Sequence, residues 1–248
     1  MKKLLPVLLL NLFYCSCKEN NIEVKYSINV AVAGDITDPH SLLPAAEPIL
    51  KLYEFDRNKN TEAAFRLSTI SDKHLNPNIE SHLAEGSITE KDNDQDDPNF
   101  REKLILSFYE TIKKVIANFD TASHLDSSLN HSECFSSIAS ELQLMANNKA
   151  NKNILLVYSD LQENSLLFNC YSKGDRDLLN KNPAKVIELF NASHLLPDNL
   201  RDIKVIFLFE PSTREEDQRF GAMVEVYKKL LESRGAIVKE QASNNNLN

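Results

Sequence analysis

Asp35, Thr37 and Asp38 stand together at the end of one apolar run, and Ser159 and Asp160 at the end of another. Ile28–Pro39 reads INVAVAGDITDP, and Asn153–Asn164 reads NILLVYSDLQEN. Each has the pattern of a buried strand that stops abruptly at a polar loop bearing carboxylates. In an open parallel sheet, ligands gather where strands end at their carboxyl edge. The two segments therefore predict that Asp35, Thr37 and Asp160 meet at the top of a sheet. Oxygen donors of this kind suit a hard cation, Mg2+ or Mn2+, which prefers six oxygens and keeps several waters. A neutral hydroxyl such as Thr37 can ligate directly, while Asp35 and Asp160 can hold coordinated waters. Without a cation, converging aspartates repel one another. The competing reading makes them ordinary loop acids, Asp38-Pro39 being a good helix start.

Other constellations point nowhere as specific. Asp92-Asn93-Asp94-Gln95-Asp96 mimics the opening of an EF-hand calcium loop, but the required glycine and glutamate are replaced by Asp97 and Lys103. A solvated acidic loop is the expectation. His74, His82, His124, His131 and His194 never fall at H-x-x-x-H spacing. Asn191-Ala192-Ser193 matches a glycosylation sequon, a three-residue match of little force by itself. A haloacid-dehalogenase-type phosphatase needs a second aspartate where Thr37 stands, and a G-D-S esterase needs serine where Ile36 stands. No G-x-S-x-G elbow occurs. The expectation is that the chain is not an enzyme.

The elements that must position these residues alternate strand and helix. Strands are predicted at Tyr26–Ala33, Ala63–Ser71, Lys152–Tyr158, Ile203–Phe209 and Ala236–Glu240. Helical stripes run through Pro39–Phe55, Phe100–Phe119, Ser132–Met145 and Glu215–Arg234, the last closed by Gly235. Ile79–Asn99 is polar and acidic, a loop or frayed hairpin. Leu166–Leu200 reads as a long polar excursion and a candidate specificity surface. Four of the last five residues are asparagine, so 242–248 is expected to be a disordered tail. The alternation predicts an α/β three-layer sandwich with a mainly parallel sheet and helices on both faces, doubly wound in the Rossmann manner.

These residues resemble the von Willebrand factor type A domains. Members of that family carry a D-x-S-x-S loop after strand one, a threonine before a later helix and an aspartate after strand four. Together these form a metal-ion-dependent adhesion site. Asp35-Ile36-Thr37 resembles the first half of the loop, Ser132 before the Phe135–Met145 helix sits where the threonine would, and Ser159-Asp160 resembles the closing motif. Thr121, Ser127 and Ser128 compete with Ser132 for its place. Pro39 replaces the second loop serine and offers no hydroxyl, while Ser41 follows two residues later. The resemblance covers residues 26–241 and implies a protein-interaction domain whose metal ligands are Asp35, Thr37, Ser132 and Asp160. The partner would then supply a carboxylate to the ion. A metal-free scaffolding subunit and a metal-dependent phosphoesterase using Asp35 and Asp160 are the alternatives.

The first residues address the compartment. Met1-Lys2-Lys3 followed by apolar Leu4–Tyr14 has the form of a secretory signal, too short to span a membrane. Tyr14-Cys15-Ser16-Cys17 resembles a degenerate bacterial lipobox. Cys17 is the better candidate for lipidation by palmitate-type acyl chains, because Ser16 is small and Tyr14 is bulky. Cleavage by ordinary signal peptidase is the alternative. Residues 1–16 would be removed and 17–25 would tether the domain, giving a lipoprotein anchored to a membrane of the bacterial cell envelope. Loss of Lys2 and Lys3 takes the formal charge from −8 to −10, a poor match for nucleic acid. Cys134 and Cys170 would remain, as buried free thiols or, less favoured, as a disulfide.

Overall fold

The computed structural model describes residues 26–37, 41–53, 55, 61–71, 78–83, 100–123, 132–148 and 150–247. The expected signal, tether and Cys17, with Asp38, Pro39, Asp92–Asp97, Ser127, Ser128 and His131, lie outside them. Six strands form one sheet: β1 Tyr26–Asp35, β2 Thr61–Ile70, β3 Asn78–Leu83, β4 Lys152–Tyr158, β5 Ile203–Leu208 and β6 Ile237–Gln241. Their order is β3-β2-β1-β4-β5-β6. Only β3 runs antiparallel, paired to β2, and all other neighbours are parallel. From Ile79 on, the hairpin strand β3 falls in the segment expected to be a loop or frayed hairpin.

Helices cover both faces, which makes the domain a three-layer α/β sandwich. On one face lie α1 (Ala46–Leu50), continued by a 3-10 turn at Lys51–Tyr53, and α2 (Phe100–Ser123). On the other lie α3 (Cys134–Asn147), α4 (Lys173–Lys181), α5 (Pro183–Ala192) and α6 (Arg214–Glu232). The central strand explains this division through its period of two. Ile28, Val30 and Val32 of β1 pack with Ile112, Ile116 and Phe119 of α2, while Ala31 and Ala33 join the core around Phe135 and Ile138 of α3. Gly34 is required where α2 crosses the end of β1. A Cβ there would stand 2.3 Å from Phe119 Cζ, well inside van der Waals contact.

Several boundaries move from the sequence expectation. Of the apolar stripe through Pro39–Phe55, Ile49 and Tyr53 are buried and Leu42, Leu43, Ala46 and Leu50 pack half-buried on the same core, but only Ala46–Leu50 is α-helical. Pro44 disfavours the helical region for the residue before it, and Pro48 is tolerated because it falls in the first turn. The excursion Leu166–Leu200 contains two helices. Ser172 caps the first by accepting from Asp175 N–H at 3.0 Å, and Pro183 opens the second. The tail expected to be disordered is docked up to Leu247, which is 4 % exposed. Tyr158 Oη donates to Asn244 Oδ1 at 2.6 Å, and Asn244 Nδ2 donates to Leu43 O at 3.1 Å. Asparagine composition predicted solvation, but one leucine and two hydrogen bonds suffice to hold so short a segment.

Candidate functional site

In this sheet β1 is joined to β2 on one side and lies against β4 on the other, so the winding reverses between β1 and β4. That is the topological switch point, where a crevice opens at the carboxyl ends of the strands. Register pairs Gly34 with Tyr158, which sets Asp35 beside Ser159 one step further on. Both project toward the α3 face. The segment opening α3 is strapped over them: Glu133 N–H donates to Ser71 O at 3.3 Å, and Asn164 N–H donates to Ser132 O at 2.8 Å.

Asp35 is the centre of the arrangement. It is 2 % exposed. Its Oδ1 accepts from Thr37 N–H at 2.9 Å and from Thr37 Oγ1 at 2.6 Å. Its Oδ2 accepts from Ser159 Oγ at 2.8 Å and Ser132 Oγ at 3.1 Å. Burial pushes the Asp35 carboxyl above its ordinary value, and the bonds from Thr37, Ser159 and Ser132 oppose that rise. These donors are all neutral, so the charge of an ionised Asp35 is solvated by dipoles alone. Cys134 Sγ lies 3.1 Å from Ser132 Oγ and 3.6 Å from Ser159 Oγ. Its thiol is pushed well above the ordinary range by burial first and then by Asp35 and Glu163. Cys170 is likewise raised to about 12 by burial. Both cysteines are free and buried, the favoured of the two sequence readings.

Of the four predicted ligands, Thr37 and Ser132 converge directly on Asp35. Asp160 joins them as a wall of the same crevice, of about 530 Å³, with Tyr171, Phe209, Glu210, Ser212 and Arg219 among the other lining residues. Asp160 Oδ1 accepts from Gln162 N–H at 2.9 Å and thereby shapes the turn after β4. Leu161 in that turn has φ 60°, and Ser159 Oγ accepts its N–H at 2.9 Å. Ser41 lines a neighbouring crevice with Glu210, Pro211 and Ser212. Thr121 belongs to α2, not to the segment opening α3. His82 pairs with Glu62 at 2.8 Å on the β2–β3 hairpin.

Sequence reasoning named the Ser159-Asp160 motif but did not count Ser159 among the ligands, although it makes a shorter bond to Asp35 than Ser132 does. It missed Glu163 altogether. Glu163 is 1 % exposed, and its Oε2 accepts Phe135 N–H at 2.7 Å. It thereby caps the first turn of α3, whose own N-cap residue Glu133 makes no side-chain cap bond. Burial pushes Glu163 up to about 7, with Glu133 and Asp35 adding to the rise. The signal was an acid in the polar segment after β4, and nothing local distinguishes it from the exposed acids of other loops.

Around the crevice the oxygen donors are mainly hydroxyls, Thr37 and Ser132, with Asp160 the one carboxylate beside them among the predicted ligands. Thr37, Ser132 and Ser159 direct their protons at Asp35; Ser159 Oγ also accepts from Leu161 N–H, so of the three hydroxyls those of Thr37 and Ser132, which line the crevice, are the ones that could turn a lone pair toward a positive charge. Among the described residues no group of three His, Cys, Asp or Glu side chains is placed to hold a metal, so hydroxyls would have to complete the shell. Comparison with known proteins supplies no family, since no family model and no curated protein matches the chain.

Proposed function

We propose that this chain is an envelope lipoprotein whose von Willebrand type A-like domain binds a protein partner through a divalent cation held at the switch-point crevice. The carrying observation is the convergence of three hydroxyls, Thr37, Ser132 and Ser159, on one buried aspartate. Thr37, Ser132 and Asp160 would hold Mg2+ or Mn2+, with Asp35 behind them orienting the hydroxyls. Bound there, the ion would supply an electrophilic coordination site for a partner carboxylate. The convergence of the loop after β1, the loop after β4 and the entry to α3 is what the family resemblance requires. Asp35 is a poor nucleophile in this setting, being buried and engaged at both oxygens, which weighs against the phosphoesterase reading. Cys17 lipidation would attach the domain to a membrane, and no helix among the described residues is long and apolar enough to cross one.

The test is calorimetric titration of Mg2+ and Mn2+ into the full chain, its Asp35→Asn variant and its Asp160→Ala variant. Saturable binding to the wild type, lost in Asp35→Asn and weakened in Asp160→Ala, is the expected result. No saturable heat with either metal on folded wild type overturns the cation reading. A metal-free scaffolding subunit would then stand.

A further inference from the structure

A second hollow, of about 350 Å³, lies between α4 and α6 and shares Gln162 and Arg219 with the Asp35 crevice. Lys173 and Arg176 stand one turn apart on α4, and Glu215 and Arg219 one turn apart on α6. That spacing puts each pair on a single helix face, and all four line the groove between the helices. Buried Cys170 and Leu179 line it as well. Tyr171, the next residue after Cys170, lines the crevice and is 58 % exposed. The two hollows are therefore one continuous surface with an aromatic ring at their junction.

The groove inverts the charge of its surroundings. The crevice beside it carries Asp160, Glu210 and Glu216, and the whole chain carries a formal charge of −8. The groove is lined by three cations, Lys173, Arg176 and Arg219, and by two acids, Asp177 and Glu215. Both acids are already engaged: Lys181 Nζ lies 3.3 Å from Asp177 Oδ2, and Arg219 pairs with Glu215. Lys173 and Arg176 are exposed, and among the described residues neither has an acid within ion-pair distance.

Their place in the helix is a second sign. Both lie in the first turn of α4, the positive end of the helix, where a cation is disfavoured. Asp175, the acid of that turn, is occupied in accepting Asn169 N–H at 3.0 Å. Local preferences are broken most often where a residue serves a site. An arginine can grip a carboxylate through two parallel N–H donors, and a lysine beside it adds a point charge.

We propose that the groove between α4 and α6 holds carboxylates of an acidic segment of the protein partner, through Lys173, Arg176 and Arg219. The proposal rests on the reading above for the existence of a partner, and it deepens that reading by naming the partner's chemistry. The segment gives one carboxylate to the ion, crosses the rim formed by Gln162 and Arg219, and lays further carboxylates along α4. Asp160, Glu210 and Glu216 repel such a segment, and the ion offsets that repulsion.

The probe is a fluorescein-labelled peptide of alternating aspartate and glycine, with an asparagine–glycine peptide as control. Each is titrated with the full chain, in Mg2+ and in EDTA, and read by fluorescence anisotropy. The expected result is binding of the aspartate peptide and none of the control, more tightly in Mg2+ than in EDTA. Lys173→Gln with Arg176→Gln should weaken binding about tenfold in both solutions, two exposed ion pairs being lost. Lys173→Arg with Arg176→Lys should preserve it. Equal binding by the glutamine variant and the wild type, or no binding by the wild type in either solution, overturns the proposal. Displacement of the peptide by inorganic phosphate at lower concentration than by acetate overturns it in favour of a phosphate ligand. Binding that depends on Lys173 and Arg176 but not on Mg2+ supports the groove and removes the cation, so the two failures are distinguishable.

Discussion

Replacing Glu163 by glutamine should stabilise the protein at pH 8 and leave it unchanged at pH 4. Glu163 rises to about 7 in the folded protein from an ordinary 4.5, chiefly because burial disfavours its charged form. An acid raised by folding holds its proton more tightly in the native state. Its contribution is therefore complete below pH 4.5 and is lost as pH climbs through about 7. The difference corresponds to about 3 kcal/mol. In a domain of this size that is roughly 6–12 °C in melting temperature. Glutamine cannot ionise, yet its amide oxygen can still accept Phe135 N–H, so the cap on α3 survives. The assay is urea denaturation of both proteins from pH 4 to 8.5, plotting the stability difference between them. Asp35 is raised in the same direction and its charge adds to the rise at Glu163, so the difference between the two proteins includes that coupling. A difference that is flat across the range, or that favours the wild type at pH 8, would refute the argument that burial dominates at Glu163.

Two further outcomes test the packing around the site. Arg66 of β2 reaches Glu141 of α3 at 2.7 Å, their side chains 11 % and 5 % exposed. Arg66→Met alone should cost about 3–5 kcal/mol by stranding the Glu141 charge, and Arg66→Met with Glu141→Leu should recover most of that in denaturant titration. A single variant as stable as the wild type would show that the pair is solvated. Leu247→Ala should cost about 2 kcal/mol in the same assay, because the side chain is 4 % exposed against the α1–α2 face. A loss below about 0.5 kcal/mol would show that the tail adds nothing to the core.

The local pattern carried most of the architecture. Lys152–Tyr158 was readable as a strand because its apolar run is continuous, and α6 was readable because its stripe ends at Gly235, which has φ 97°. Such features are written in neighbouring residues and need no partner to be seen. Pro44 and Pro48 were equally visible, yet the apolar stripe across them was read as one helix when only five residues are α-helical. The two helices of the excursion were missed because α4 is short and polar and buries only Leu179.

The candidate site divides in the same way. Asp35, Thr37 and Asp160 could be named from strand ends alone, because a buried strand that stops at an acid announces a loop at the sheet edge. That Ser159 and Ser132 aim their hydroxyls at one oxygen of Asp35 depends on the register of β1 against β4 and on the strap that carries α3 over them. Glu163 became a buried helix cap only through a contact between positions 28 residues apart. Composition and periodicity determined which segments become strands and helices, because those preferences act between near neighbours. Which polar groups are buried together was decided by the tertiary structure, because hydrogen bonding and desolvation depend on distance in space.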